Sequence, residues 1–218
     1  QVTKSRCVAT AACRQAENGD TFLARVGFET GIELETIDAA EEARLAMAGC
    51  VSLLDLKCEN AMVFDIGGGS TEVMWLRRCE KSAPELLAWI SVPYGVVTLA
   101  EAYGGTDIPI ETYKAMVDRI RDLLAPFEED HGLAEQVRSG AAQMVGTSGT
   151  VTTLAALNLG LSRYERRLID GSWLDAAAIV KVSARLFAMS FTDRIQHPCI
   201  GEGRADLVIA VCAIFDAI

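Results

Sequence analysis

The sequence holds only two histidines, His131 and His197, far apart in the chain. That is too few and too scattered for a histidine-based metal centre. Its seven cysteines show no CxxC spacing and are odd in number, which excludes a zinc ribbon and a disulfide framework. Cys50 and Cys212 stand in apolar runs and read as small core residues. Unpaired thiols favour a reducing compartment, most simply the cytoplasm. No stretch of about 18 uninterrupted apolar residues occurs, so no membrane span is expected. Aromatics make up 6% of the chain, which leaves the core to alanine, leucine and valine. There is no internal repeat and no low-complexity linker. The chain opens at Gln1 rather than at methionine, so it reads as a processed form or a fragment, with room for a lost targeting segment.

What is present points to an α/β globule. Half of the 218 residues are hydrophobic, enough for a substantial core in one large domain or two small ones. The formal net charge is −10 at pH 7, which repels DNA and RNA and argues against a nucleic-acid-binding module. The same charge repels polyphosphate. An anionic ligand therefore needs a local pocket of N–H donors, arginine and metal.

The most informative segment is MVFDIGGGSTEVMWL, Met62 to Leu76. It reads as strand, tight glycine turn, strand. Gly67, Gly68 and Gly69 leave the turn without side chains, so its N–H groups can approach a ligand closely. With Ser70 they form a nest suited to an anion, phosphate above all. Asp65 and Glu72 stand at the two ends of the turn. They repel phosphate directly but can hold a Mg²⁺ that binds it. The competing reading is a glycine-rich hairpin without a ligand.

Around this hairpin the pattern alternates. Residues 7–12 are β-compatible, and a helix is expected from Arg14 to Asn18. Asp20 caps a second helix that ends at Gly31. Residues 32–37 alternate as a strand. Asp38 caps the next helix, and Glu41 completes a capping box. A strand is expected near Leu86 to Val92, a helix from Val96 to Tyr103, and a long amphipathic helix after Pro109. Glu128 to His131 read as a solvated connection. Gln143 to Val145 read as a short strand, Asp175 caps a further helix, and Gly201 to Arg204 open the last one.

Three further features bear on chemistry. GTSGT, Gly146 to Thr150, passes from a strand into a helix, and Thr147, Ser148 and Gly149 offer N–H groups and hydroxyls at a helix N-terminus. A plain strand-to-helix turn explains it equally well. Glu41 and Glu42 are adjacent and point about 100° apart on a helix. Glu41 serves the cap, so Glu42 can face the hairpin and accept a proton from water. On spacing alone, Glu42 reads more simply as a first-turn acid complementing the helix dipole. Arg14 suits bidentate phosphate contact, although a lone arginine at a strand end is commonly just solvated. The cluster Arg163, Arg166 and Arg167 reads the same way.

The blocks VATAACRQAENG, IELETIDAAEEARLAMAG, VFDIGGGSTEV, GTSGTVTTLAAL and GRADLVIA occur in that order. Together they resemble the exopolyphosphatase and guanosine pentaphosphate phosphohydrolase (Ppx/GppA) family, part of the superfamily of actin-like ATPases, sugar kinases and heat-shock chaperone ATPases. The resemblance covers nearly the whole chain. It implies an α/β, two-lobed actin-like ATPase (ribonuclease H-like) fold that binds phosphate between its lobes. It also implies Mg²⁺-dependent removal of a terminal phosphate from inorganic polyphosphate or guanosine pentaphosphate. Glu42 falls on the family's water-activating acid. Asp65, Gly67, Gly68, Ser70 and Glu72 fall on its phosphate and metal hairpin, and Arg14 on its phosphate-contacting arginine. For Glu42 and Arg14 it is this resemblance, not spacing, that selects the functional role.

The sequence departs from the family in two places. A first-lobe hairpin of the type DLGTNN or DIGSNS is missing. Residues 1–37 are therefore expected to be the remnant of a first lobe truncated at its N-terminus, with the helix of residues 203–218 packing back on it and apolar surface exposed. Residues 38–200 are expected to form the second lobe. Val211 stands where the family often has glycine, an overpacked helix contact. The resemblance allows a homodimer. Two other readings compete with the hydrolase: an actin-like kinase or ATPase, and a non-catalytic protein that binds polyphosphate or guanosine pentaphosphate.

Overall fold

The computed structural model describes residues 3–79 and 82–218. The first unit is small. Strands β1 (Cys7–Ala9) and β2 (Leu34–Thr36) pair in parallel. Helices α1 (Ala11–Gln15) and α2 (Gly19–Thr30) lie between them in sequence. Helix α1 starts three residues before Arg14, so Arg14 sits in its last turn. Asn18 rather than Asp20 precedes α2. Gly31 ends α2 at φ 70°, a left-handed conformation that glycine adopts without steric cost. Phe22, Phe28 and Ile32 are exposed, the apolar surface expected of residues 1–37.

Helix α3 (Ala39–Cys50) begins as its sequence indicates: the Asp38 carboxylate accepts the Glu41 N–H at 2.8 Å. The reciprocal arm of the capping box does not form. Arg6 donates to Glu41 at 2.6 Å and Arg44 at 2.7 Å. Two guanidinium donors hold a carboxylate more strongly than one neutral N–H.

The main sheet contains β3 (Asn60–Ile66), β4 (Thr71–Arg77), β5 (Glu85–Val92) and β6 (Ala142–Thr147) in the order β5-β4-β3-β6. Strand β4 is antiparallel to both neighbours, and β6 runs parallel to β3. Both faces are covered, so β3 and β4 read as nearly continuous apolar runs. On one face Ala61, Val63, Met74, Leu76 and Val145 meet Ala43 and Cys50 of α3. On the other, Met62, Phe64, Val73 and Trp75 join the larger core.

That core is built by helices. They are α4 (Val96–Tyr103), α5 (Ile110–His131), α6 (Leu133–Arg138), α7 (Gly149–Asn158), α8 (Arg166–Ile169), α9 (Ala176–Ala188), α10 (Phe191–Gln196) and α11 (Val208–Ala217). Helix α5 continues through Pro126 to His131, so Glu128 to His131 are helical and not a loop. Buried Phe127 anchors this last stretch, and the Glu128 carboxylate accepts the Ala134 N–H at 3.0 Å. Glu202–Arg204 form a single 3-10 turn ahead of α11.

The final helix does not fold back onto residues 1–37. Every residue from Val208 to Ile214 is buried, and α11 packs mainly on α5, α4, α9 and α7. A helix apolar on all sides needs a surround of apolar faces, which the helices packed on the main sheet offer and a two-stranded sheet does not.

Candidate active site

The hairpin places Asp65 directly opposite Glu72. Thr147 lies beside Asp65 on β6, and Ser91 beside Glu72 on β5. Ser91, Glu72, Asp65 and Thr147 thus form one row across all four strands. Laterally paired residues share a face, and alternation along β3 and β6 puts this row on the α3 side. The Ser91 hydroxyl donates to Glu72 at 2.9 Å. Burial raises the proton affinity of Asp65, and the negative charge of Glu42 adds to it. Burial likewise raises Glu72; hydrogen bonds from Ser70 and Ser91 oppose the shift, while Glu42 and Asp65 reinforce it. The Glu42 carboxylate thus lies near enough to act on the charge of both hairpin acids.

These residues fit a magnesium ion. Two opposed carboxylates with raised proton affinity gain from a divalent cation. Among the described residues no cluster of three or more His, Cys, Asp or Glu side chains encloses an ion. Magnesium keeps several waters and takes one or two carboxylates together with substrate phosphate, so Asp65 and Glu72 suffice.

The turn is closed by the Gly67 N–H donating to Ser70 O at 3.0 Å. The carbonyls of Gly67 and Gly68 accept the Val96 and Val97 N–H groups at 3.0 and 2.9 Å. The Gly69 carbonyl lies 3.4 Å from the Thr98 hydroxyl. In a trans peptide the N–H points opposite to the carbonyl before it. The N–H groups of Gly68, Gly69 and Ser70 therefore all point away from α4. Among the described residues none of the three finds an acceptor.

The second glycine loop adjoins the first through Thr147. Ser148 is the one non-glycine residue at positive φ among those described, at 100°, strain of a kind that gathers at ligand sites. Its hydroxyl accepts from Thr150 and Val151 N–H at 3.2 and 3.5 Å, so it caps α7 and its lone pairs are engaged. The Gly149 carbonyl accepts from the Thr153 hydroxyl at 2.8 Å. Arg204, which the sequence reading placed only as a helix opener, donates to Thr153 Oγ1 at 2.7 Å. A cavity of about 250 Å³ opens here, lined by Gly68, Val97, Thr150, Leu154, Arg204 and Val211 among others. Val211 borders this space.

Arg14 is tied to Glu42. Its Nη1 donates to Glu42 Oε2 at 3.0 Å and to Ile37 O at 2.7 Å. The structure thus brings Arg14, Glu42, Asp65, Glu72 and both glycine loops together. The basic cluster stays apart: Arg163 pairs with Glu165 and Arg166 with Asp170, on exposed ground. Ser91 and Arg204 escaped the sequence reading. A strand register fixes Ser91, and a distant turn docking on α7 fixes Arg204; neither leaves a local signal.

Known proteins share this architecture. Exopolyphosphatase 2 of Mycobacterium tuberculosis is 32% identical over 209 residues, covering 93% of this chain and 62% of its own length. Guanosine-5'-triphosphate,3'-diphosphate pyrophosphatase of Photobacterium profundum is 32% identical over 155 residues, 71% of this chain and 29% of its own. The crystal structure of an exopolyphosphatase from Cytophaga hutchinsonii superposes with a TM-score of 0.80 at 25% identity, over 98% of this chain and 66% of that one. The chain thus spans less than two thirds of the length of these relatives. The fold is the actin-like ATPase fold. The model of the Ppx/GppA phosphatase family matches residues 1–218, and the chain belongs to that family.

Proposed function

We propose that this chain carries the phosphate-gripping half of a Mg²⁺-dependent phosphoanhydride hydrolase acting on inorganic polyphosphate or guanosine pentaphosphate. One observation carries the reading: three unpartnered N–H groups turned away from α4 beside two opposed acids, with the carboxylate of Glu42 close enough to raise the proton affinity of both. The amides of Gly68, Gly69 and Ser70 bind and orient the terminal phosphate. Asp65 and Glu72 would hold the magnesium ion, which supplies charge neutralisation on the anhydride. Glu42 accepts a proton from the attacking water as the new P–O bond forms and the bridging P–O bond breaks, its electron pair leaving with the shortened chain. Arg14 exchanges one of its present acceptors for a phosphate oxygen.

The names of the relatives support the substrate class. Phosphate release from each substrate, with and without Mg²⁺ and without nucleotide, tests the reading. Glu42→Gln is expected to lower release by roughly 10²–10⁴ while sparing tripolyphosphate binding. Undiminished turnover removes Glu42 from the mechanism, and release that requires a nucleotide cosubstrate favours a kinase or ATPase.

A further inference from the structure

We infer that the first turn of α4 sets the direction of the amide nest, with Gly95 and Thr98 as positioning residues. The inference rests on the reading of the hairpin as the anion grip.

The two elements satisfy one another. A helix N-terminus begins with orphan N–H groups. Here the N–H groups of Val96, Val97 and Thr98 go to the hairpin carbonyls: Val96 to Gly67, and Val97 and Thr98 (3.3 Å) both to Gly68. With its carbonyls drawn to one side, each peptide plane must present its N–H on the other. A plane turned over would aim a carbonyl dipole at the incoming anion instead.

Gly95 permits this approach. Its φ is −109°, which any residue adopts, so the requirement is one of space. An added Cβ would stand 2.4 Å from Gly67 O and 2.5 Å from the Gly68 carbonyl carbon and oxygen. Those are backbone atoms of the nest itself, and relieving the clash means displacing its peptides. Thr98 closes the latch. Its hydroxyl accepts the Gly95 N–H at 2.9 Å, and its single proton lies between Gly95 O at 3.3 Å and Gly69 O at 3.4 Å. On the other flank, the Thr71 hydroxyl donates to Tyr94 O at 2.8 Å. Residues 94–98 are thereby fastened to both sides of the turn.

The test uses Gly95→Ala, Thr98→Val and Thr98→Ser. Inorganic tripolyphosphate is titrated into each with Mg²⁺ present, and ¹H–¹⁵N residual dipolar couplings of Gly68, Gly69 and Ser70 are measured without ligand. Thr98→Val is expected to weaken binding by roughly five- to tenfold and to change those three couplings, with Thr98→Ser restoring both. Gly95→Ala is expected to do more. Wild-type couplings at all three amides in Thr98→Val overturn the inference, whatever the variant binds. Wild-type protein that takes up no tripolyphosphate overturns the anion-grip reading instead, and the couplings alone then decide whether α4 sets the hairpin.

Discussion

Asp65 and Glu72 face each other with no cationic partner among the described residues. Burial and the negative charge of Glu42 raise the proton affinity of both, and Asp65 adds to the rise at Glu72. The linkage has a definite sign. The fold favours the protonated carboxyls, so their contribution is fully present below the unfolded value, about 4. It is lost as pH rises through the raised folded values. At neutral pH the pair therefore destabilises the apo protein, and a magnesium ion held there, as proposed, would relieve it. Asp65→Asn and Glu72→Gln should each raise the apo melting temperature at pH 7, flatten its decline with pH, and remove most of the stabilisation that Mg²⁺ gives wild type. Thermal unfolding from acid to neutral pH, with and without Mg²⁺, reads all three; an undiminished Mg²⁺ effect in both variants refutes the metal assignment. This pair was legible in the sequence because 65 and 72 flank one short turn symmetrically, so the hairpin register follows from the turn. Glu42 was legible only through family resemblance: its own neighbourhood explains it as a first-turn acid, and its approach to the hairpin depends on how α3 packs on the sheet.

At the scale of elements, local signals served where local forces decide. The Asp38 cap, the Gly31 stop and the strand of residues 85–92 lie where the sequence puts them. The misses occur where a tertiary contact overrides a local preference. Arg6 reaches from ahead of β1 to take Glu41 from its capping box. The anchorage of Phe127 carries α5 past Pro126. Arg194 shows the same principle in the core. Only 2% exposed, it donates to Ala205 O at 3.2 Å, to Thr106 O, and to Asp107 at 2.9 Å, tying α10 to two loops. Its partners differ in what they lose. The Asp107 side chain is 70% exposed and returns to water if the pair breaks, whereas the two carbonyls would be left unpaired. Asp107→Ala is therefore expected to cost about 1 kcal/mol or less. Arg194→Ala is expected to cost about 3 kcal/mol or more, from unsatisfied carbonyls and the space left behind. Urea unfolding of the two variants separates these values. Equal costs would show that the ion pair, and not the carbonyl anchoring, holds the loops.

For the whole molecule, the alternation of strand and helix patterns indicated an α/β fold, but the place of α11 did not follow from its sequence. A helix apolar on every side has no stripe to name its neighbours. Net charge acts at this scale too. The chain carries −10, yet the proposed ligand is a polyanion and the grip is made of short-range amides. Approach and capture thus have opposite electrostatics. The molecular field repels the ligand over a Debye length of about 10 Å at 0.1 M salt, and added salt screens that repulsion while hardly affecting the contact itself. The association rate of tripolyphosphate should accordingly rise as NaCl is increased from about 20 to about 200 mM at fixed Mg²⁺. Stopped-flow mixing measures this directly. A rate that falls with salt would mean that the field at the cleft mouth is positive, set by Arg14, Arg204 and the helix N-termini in spite of the acidic surface around them.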